Sequence, residues 1–235
     1  MTTLSRKVAG ALLATLHELA ADPDLRCLVL RGSGKSFVVG ADIKEIGSLS
    51  VEDNLAYNET LIAVNHAVAA MPVPVVACIN GHALGGGLEL ALACSVRIAA
   101  ETARMGLPEV RIGIVPGAGG TIRLPRLLPR GAALKLLTTG AMIDAAEALR
   151  IGLVDEVVPA QDAPEAANRL AQSIAASAPL AVRTIVAAVR ALDDAGDAEA
   201  IARVHGSLEL LVRSDDHREG IAAFLDKRAA VFTGS

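Results

Sequence analysis

The chain has 235 residues, of which 52% are hydrophobic and 20% charged, a composition typical of a compact protein with one substantial core. Its formal net charge of -4 and its aromatic content of 2% argue against a basic surface for nucleic acid or membrane lipid, and against base-stacking platforms. Cys27, Cys78 and Cys94 lack CxxC spacing, which favours reduced core thiols and a cytoplasmic location. We also expect no signal peptide and no membrane span, because no apolar run approaches about 18 residues.

The first part of the chain alternates predicted strands with predicted helices. Apolar positions at helical spacing indicate a helix over residues 5–20, and a buried strand follows at 27–32. A glycine-bearing loop then covers residues 32–47. Ser50 and Asp53 have the spacing of a capping box, which predicts the start of a second helix.

The same order repeats further along the chain. At residues 72–81 proline marks the entry to a strand and Asn-Gly marks its exit. Three consecutive glycines at 85–87 follow, although glycine disfavours helix, and a helix is expected to begin near Gly86. Glycines at such a place indicate that the backbone bends unusually or comes very close to another group.

The remaining elements change from short strands to helices. They are predicted as strands at 96–100 and 103–106, a loop at 107–120, a helix from about Thr121, a helix at 141–150, a strand at 153–158, and nearly continuous helix at 162–228. We therefore expect an α/β core over residues 1–160 and a helical C-terminal region over residues 161–235.

Several familiar functional motifs are incomplete in this sequence. The stretch "GSGKS" is not a P-loop, because Val29 stands where the first glycine of that motif is needed. Leu90 and Ile122 stand where a dinucleotide-binding fingerprint needs its last glycine. There is no GxSxG motif, and the five histidines lack metal-ligand spacing, so we expect neither a nucleophilic serine nor a bound metal.

Two glycine-rich turns share one design. One surrounds Ala41 and the other surrounds Gly86, and each follows a strand and opens a helix or turn with free N–H groups. Free amides at such a place, aided by the helix dipole, form a site for an anion or a developing oxyanion. If the two turns converge, their amides bind one carbonyl oxygen.

Two carboxylates accompany these turns, Glu89 in the helix and Glu109 in a loop. Two carboxylates facing a polarised carbonyl compound are the minimum set for moving one proton at carbon and another at water. Spacing alone leaves other interpretations open. Glu89 could be a solvated partner of the helix dipole, and Glu109 could be a solvent-facing loop residue. Ala41 and Gly86 could serve packing alone, and Gly117 and Gly119 could belong to a tight turn.

Five sequence blocks in order resemble the crotonase superfamily, which comprises enoyl-CoA hydratases and isomerases. The blocks are "SFVVGADIKEI", "PVPVVACINGHALGGGLELALACSVRIAA", "ARMGLPEVRIGIVPGAGGTIRLPRLL", "TTGAMIDAAEALRIGLVDEVVP" and "DDHREGIAAFLDKRAAVF". The resemblance implies a spiral of strand-strand-helix turns, with C-terminal helices that mediate homotrimers or hexamers. It also implies an acyl-CoA thioester substrate, as in fatty-acid β-oxidation, with no metal or other cofactor and no nucleic-acid or membrane partner.

The resemblance also implies roles for individual residues. Ala41 and Gly86 match the family's oxyanion-binding amides, and Glu89 and Glu109 match its two hydratase glutamates. The implied reaction is syn addition of water to a 2-enoyl-CoA, with Glu89 as the base on water and Glu109 as the proton donor to the α-carbon, or with these roles exchanged. The positions expected to bind substrate are Gly40, Asp42, Ile43, Gly85, Gly117, Gly119 and Lys227, the last being alternatively an ordinary exposed lysine.

One part of the family pattern is not found in the given chain. Family members usually carry a further strand pair, and a turn along the CoA, before the helix that begins here near Ser5. We expect that segment to be absent or to lie outside the given chain, which would expose a sheet edge and remove part of the CoA wall.

Three functions compete at this stage. Both glutamates are present, which favours enoyl-CoA hydratase. The alternatives are an enoyl-CoA isomerase or another acyl-CoA lyase of the same superfamily, and a catalytically weak acyl-CoA-binding or interaction protein. Hydration of crotonyl-CoA, the double-bond shift of a 3-enoyl-CoA, and acyl-CoA binding without turnover distinguish them.

Overall fold

The structure is a computed structural model that describes residues 3–235, without the side chains of residues 193 and 194. The first two residues of the predicted core region, 1–160, therefore lie outside the described residues. The chain forms two compact units. The first comprises residues 3–23, 29–71 and 75–168, and the second comprises residues 24–28, 72–74 and 169–235. The division at residues 160 and 161 stays a prediction.

Eight short strands form the sheets. They are β1 (Leu28–Arg31), β2 (Ser36–Val38), β3 (Val75–Ile79), β4 (His82–Leu84), β5 (Val96–Ala100), β6 (Arg104–Gly106), β7 (Met142–Asp144) and β8 (Glu156–Val158). One sheet has the order β1-β3-β5-β8 and the other has the order β2-β4-β6-β7. Strands β3 and β5, and β5 and β8, run parallel in the first sheet. In the second sheet β2–β4 and β4–β6 are parallel pairs, and β6–β7 is antiparallel.

Helices follow successive pairs of strands. Those of the first part are α1 (Arg6–Ala20), α2 (Ile43–Ile46), α3 (Val51–Ala69), α4 (Gly86–Ala93), α5 (Gly120–Leu127), α6 (Arg130–Thr139), α7 (Ala145–Arg150) and a one-turn 3₁₀ helix (Pro108–Ile112). Each pair β1–β2, β3–β4 and β5–β6 contributes one strand to each sheet before the chain returns through helix. This repetition is the strand-strand-helix spiral that the sequence resemblance predicts, and the fold class is confirmed.

The C-terminal region is helical, as predicted. Its helices are α8 (Ala163–Ala175), α9 (Pro179–Ala195), α10 (Asp197–Arg213) and α11 (Asp215–Asp226). Within the second unit the buried carboxylate of Asp216 accepts hydrogen bonds from Thr233 N at 2.7 Å and Gly234 N at 3.0 Å. These bonds hold the last residues of the chain against the start of α11.

The predicted helix starts agree with the capping chemistry. Ser5 and Ser50 are the N-caps of α1 and α3, and their hydroxyls accept from Val8 N and Asp53 N. The helix predicted at residues 141–150 is wrong at its start, because residues 142–144 pair with β6 as β7. The loops predicted at 32–47 and 107–120 also contain β2, α2 and the 3₁₀ helix, elements too short to show a periodic pattern.

Helix α4 passes through the centre of the first unit, and all eight of its residues are buried. Gly87, the second residue of α4, explains how closely this helix packs against β2. A β-carbon at Gly87 would lie only 2.0 Å from Val38 O at the end of β2. No side chain fits that distance. The glycine therefore allows β2 and the first turn of α4 to touch through their backbones, which sets the position of both turns in the candidate site.

No single helix among the described residues is long and apolar enough to cross a bilayer. One bent pair, α8 with the part of α9 up to Leu192, meets the length and composition criteria when its two helices are taken together.

The contact at Gly87 leads to a stability prediction. We expect Gly87→Ala to lower the free energy of unfolding by about 3 kcal/mol or more, because the added methyl group overlaps a carbonyl oxygen of the sheet. Gly10→Ala is the matched control: Gly10 lies in α1 with no atom near its missing β-carbon. That control should raise the free energy of unfolding by up to about 1 kcal/mol. Urea unfolding measures both, and equal stability of the two variants would contradict the prediction.

Candidate active site

Two backbone turns meet at the candidate site, one after β2 and one after β4. A β-carbon at Gly86 would lie 3.8 Å from Ala41 N, and a β-carbon at Gly40 would lie 3.8 Å from Gly86 N. In the described part of the chain, neither Ala41 N nor Gly86 N donates a backbone hydrogen bond. The structure thus brings together the two amides that the sequence singled out, and both are available to a ligand.

The turn at Gly85 directs the chain into α4. Gly85 is the N-cap residue of that helix and has φ 53° and ψ -130°, a conformation that a side chain disfavours. Its N–H donates to Gly106 O at 2.9 Å, which ties the turn to the end of β6. Gly86 is the first helical residue, so its amide belongs to the unpaired donors at the positive end of the helix dipole.

Glu89 lies one turn into α4 and is 3% exposed, so the alternative of a solvated helix-dipole partner is wrong. Its Oε1 accepts hydrogen bonds from Ala118 N and Gly120 N, each at 2.8 Å. A β-carbon at Gly86 would lie 3.9 Å from its Oε2, which places that oxygen on the side of the Gly86 turn. One carboxylate oxygen is therefore held by the backbone, and the other faces the site.

Burial raises the pKa of Glu89, while the bonds from Gly120 and Ala118 and the charge of Arg123 oppose that rise. Burial is the largest of these effects, so the pKa of Glu89 lies above its ordinary value.

The bonds to Glu89 come from the loop that precedes α5. Gly119 has φ 113°, and the loop presents the amides on either side of it to one oxygen. The carbonyl of Ala118 accepts from Asn65 Nδ2 at 2.9 Å and from Arg123 at 3.4 Å. Sequence reasoning missed both Asn65 and Arg123. For Asn65 the available signal was a polar residue within the apolar stretch of α3, and the structure shows it to be 2% exposed.

Glu109 approaches the same turn from the 3₁₀ helix. A β-carbon at Gly85 would lie 2.9 Å from Glu109 Oε1. Its Oε2 is buried and has no hydrogen-bond partner among the described residues. Burial is the main cause that raises the pKa of Glu109 to about 7; its own backbone amide opposes the rise and the charge of Glu89 adds to it. This carboxyl group is thus partly protonated near neutral pH.

The other predicted substrate-binding positions have different surroundings. Asp42 is the N-cap of α2, Ile43 is its first residue with 59% of its surface exposed, and a β-carbon at Gly117 would lie 2.8 Å from Asn58. Lys227 belongs to the second unit, where it is exposed and ends α11 in a left-handed conformation with φ 54°. Contact of these residues with substrate stays a prediction. Among the described residues, no cluster of His, Cys, Asp and Glu side chains is arranged to hold a metal ion.

Known proteins resemble this chain over nearly its whole length. A family model described as enoyl-CoA hydratase/isomerase matches residues 1–235. A crotonyl-CoA hydratase of Syntrophomonas wolfei is 42% identical over 90% of this chain and 82% of its own length. An enoyl-CoA isomerase/hydratase of Mycosarcoma maydis is 41% identical over 91% of this chain and 78% of its own length.

Solved structures also resemble this chain over nearly its whole length. The crystal structure of an enoyl-CoA hydratase from Bacillus anthracis superposes with a TM-score of 0.96 at 38% identity, covering 99% of this chain and 91% of that one. Sequence and fold thus agree, and the chain belongs to the enoyl-CoA hydratase/isomerase family of the crotonase superfamily.

Proposed function

We propose that this protein is an enoyl-CoA hydratase, which adds water across the double bond of a 2-enoyl-CoA. The observation that carries the proposal is the pair of carboxyl groups beside the unpaired amides of Ala41 and Gly86: Glu89 is buried, and Glu109 is half-buried with its Oε2 shielded from solvent. The names of relatives from Syntrophomonas wolfei and Bacillus anthracis support it.

The two amides carry the developing charge in this proposal. Attack of water at the β-carbon moves an electron pair through the α-carbon onto the thioester oxygen. Ala41 N and Gly86 N donate to that oxygen as its charge grows, and the dipole of α4 adds to their effect. The same donors serve any family reaction that passes through a thioester enolate, so they alone do not select hydration.

The two carboxyl groups divide the proton transfers. Glu89, whose Oε1 accepts two amide bonds, is stabilised as the anion and takes a proton from water as the C–O bond forms. Glu109, which has an unpaired buried oxygen, keeps its proton more readily and gives it to the α-carbon. Both new bonds form on one face of the substrate, a syn addition. A proton then returns from Glu89 to Glu109, which regenerates the enzyme.

Removal of either carboxylate tests the assignment. We expect Glu89→Gln and Glu109→Gln each to lower kcat for crotonyl-CoA hydration by at least about 100-fold, because each loses a placed proton-transfer group. The loss of enoyl-thioester absorbance measures the rate, and circular dichroism checks the fold. Glu147→Gln, at a partly exposed residue whose carboxylate forms an ion pair with Arg150, is the control and should keep full activity. Unchanged turnover in either site variant would refute the roles.

The same panel separates the alternatives. Wild-type protein that shifts the double bond of a 3-enoyl-CoA faster than it hydrates crotonyl-CoA would favour isomerase, an activity that the name of the Mycosarcoma maydis relative includes. Protein that binds acyl-CoA without turning it over would favour the catalytically weak binding protein.

The protonation states predict the pH dependence. The productive form has an ionised Glu89 and a protonated Glu109, whose pKa lies at about 7. We expect kcat/KM to fall above pH 7 as Glu109 loses its proton, and to fall at acidic pH as Glu89 gains one. The alkaline limb should be missing from the residual activity of Glu109→Gln. Because the two acids interact, the limbs report the pair, and a profile that rises through pH 8 would contradict the assignment.

We also propose that the second unit joins copies of this chain in a homotrimer or hexamer. Large apolar side chains are exposed along its helices, among them Ile185, Val189, Ile201, Leu210 and Phe224 at 57–82% of their surface. Exposure on this scale is unusual for a monomer. Light scattering at micromolar concentration should give three or six times the chain mass of 24.0 kDa, and a monomer would contradict the proposal.

A further inference from the structure

The direction of the Ala41 N–H depends on the carbonyl of the preceding residue. The two groups belong to one peptide, which is planar and trans, so they point in opposite directions. Gly40 O accepts a hydrogen bond from Leu4 N at 2.9 Å. Whatever holds Leu4 in place therefore also determines where the Ala41 N–H points.

Leu4 is held by the hydroxyl group of Tyr57. Leu4 is 2% exposed and forms an isolated parallel bridge with Ala41. Its carbonyl accepts a hydrogen bond from Tyr57 Oη, which in turn accepts from Asp42 N at 3.4 Å. One hydroxyl group thus joins the chain before α1 to the residue that follows Ala41. The backbone is thus restrained on both sides of Ala41: Gly40 O accepts from Leu4 N before it, and Asp42 N donates to Tyr57 Oη after it.

Tyr57 is suited to this position by burial and by its place in α3. Its side chain is 3% exposed, and α3 packs against α1. Burial raises the pKa of the phenol, so the hydroxyl keeps the proton that it donates to Leu4 O. The catalytic steps above use neither this hydroxyl nor its proton. Among the described residues, the hydroxyl of this buried tyrosine bonds to Leu4, which pairs with the oxyanion turn, and to Asp42, which follows Ala41, so its position requires another explanation.

A second anchor of this segment is more exposed. Glu45 of α2 accepts hydrogen bonds from Arg6 Nε at 2.8 Å and from Arg6 N at 3.1 Å. The Arg6 side chain is 49% exposed, so solvent screens this ion pair and weakens its hold. The buried contact of Tyr57 is therefore the stronger restraint on the turn.

We propose that Tyr57 is a positioning residue, whose hydroxyl fixes the Ala41 N–H in the direction needed to bind the thioester oxygen. The proposal rests on the proposed function for its catalytic readout. It concerns only the polarisation of the carbonyl, a step that hydration and isomerisation share.

Removal of the hydroxyl tests the proposal. Loss of one oxyanion donor typically lowers kcat by about 10² to 10³, so we expect Tyr57→Phe, which only misdirects the donor, to lower it by about 10- to 100-fold. KM should change much less, since the contacts with CoA remain. Thr60→Val is the matched control, because it removes a hydroxyl from the same helix, one that donates to Ala56 O within that helix. It should retain wild-type kcat.

Binding measurements separate positioning from a general loss of structure. Acetoacetyl-CoA binds an oxyanion site as its enolate, whereas a saturated CoA thioether has no carbonyl. We expect Tyr57→Phe to weaken enolate binding by about 10-fold while thioether binding stays within about 2-fold of wild type, because only the former uses the amide. Equal weakening of both ligands, or no weakening of the enolate, would overturn the proposal.

A conservative replacement provides an independent arm. Incorporation of 4-aminophenylalanine at position 57 restores a donor to Leu4 O, and we expect it to recover most of the enolate affinity lost in Tyr57→Phe. An affinity no better than that of Tyr57→Phe would count against the proposal. Because these arms measure binding, they decide the role of Tyr57 even if wild-type protein proves not to hydrate crotonyl-CoA. In that outcome the proposed function fails by itself.

Discussion

The close approach of two backbone segments is the constraint on which this molecule depends. Val38 O at the end of β2 and the first turn of α4 lie so near to each other that a β-carbon at Gly87 has no room. Because α4 starts at that contact, its unpaired amides open beside the turn that carries Ala41, and its next turn carries Glu89 into the core. The packing, the position of the two proposed oxyanion donors and the position of one proposed acid thus follow from a single contact between main chains.

Burial raises the pKa of both Glu89 and Glu109, and it also has a cost in stability. The pKa of Glu109 is about 7 in the folded protein and lies near the ordinary carboxylate value in the unfolded chain. Below the unfolded pKa both states are protonated and the group is neutral to stability. As pH rises towards 7 the unfolded state ionises first, so folding loses stability over that interval. Burial raises the pKa of Glu89 as well, but two backbone amides and the charge of Arg123 oppose that rise, whereas the charge of Glu89 adds to the rise at Glu109.

The sequence was sufficient for features that have a local cause. Ser50 could be identified as a helix cap because capping depends on residues within one turn, and the glycines at 85–87 indicated a close backbone approach. The family resemblance added the spiral, which no local pattern contains. The strand at 142–144 could not be predicted, since its pairing with β6 is made only in the folded sheet. The contacts of Asn65 and Tyr57 were missed for the same reason: both join segments 53 residues apart in the chain.

The name of this family joins two reactions, and the site contains the physical basis for distinguishing them. A double-bond shift moves one proton from one carbon to another, so a single carboxyl group that alternates between its two states is sufficient. Hydration requires a base and an acid at the same time, and two like-charged neighbours resist that arrangement unless their surroundings differ. Here Glu89 accepts two backbone bonds through one oxygen, while Glu109 has a buried oxygen with no partner among the described residues. In the proposed mechanism this difference favours the anion at Glu89 and the acid at Glu109, which is the condition that hydration adds to the polarisation common to both reactions.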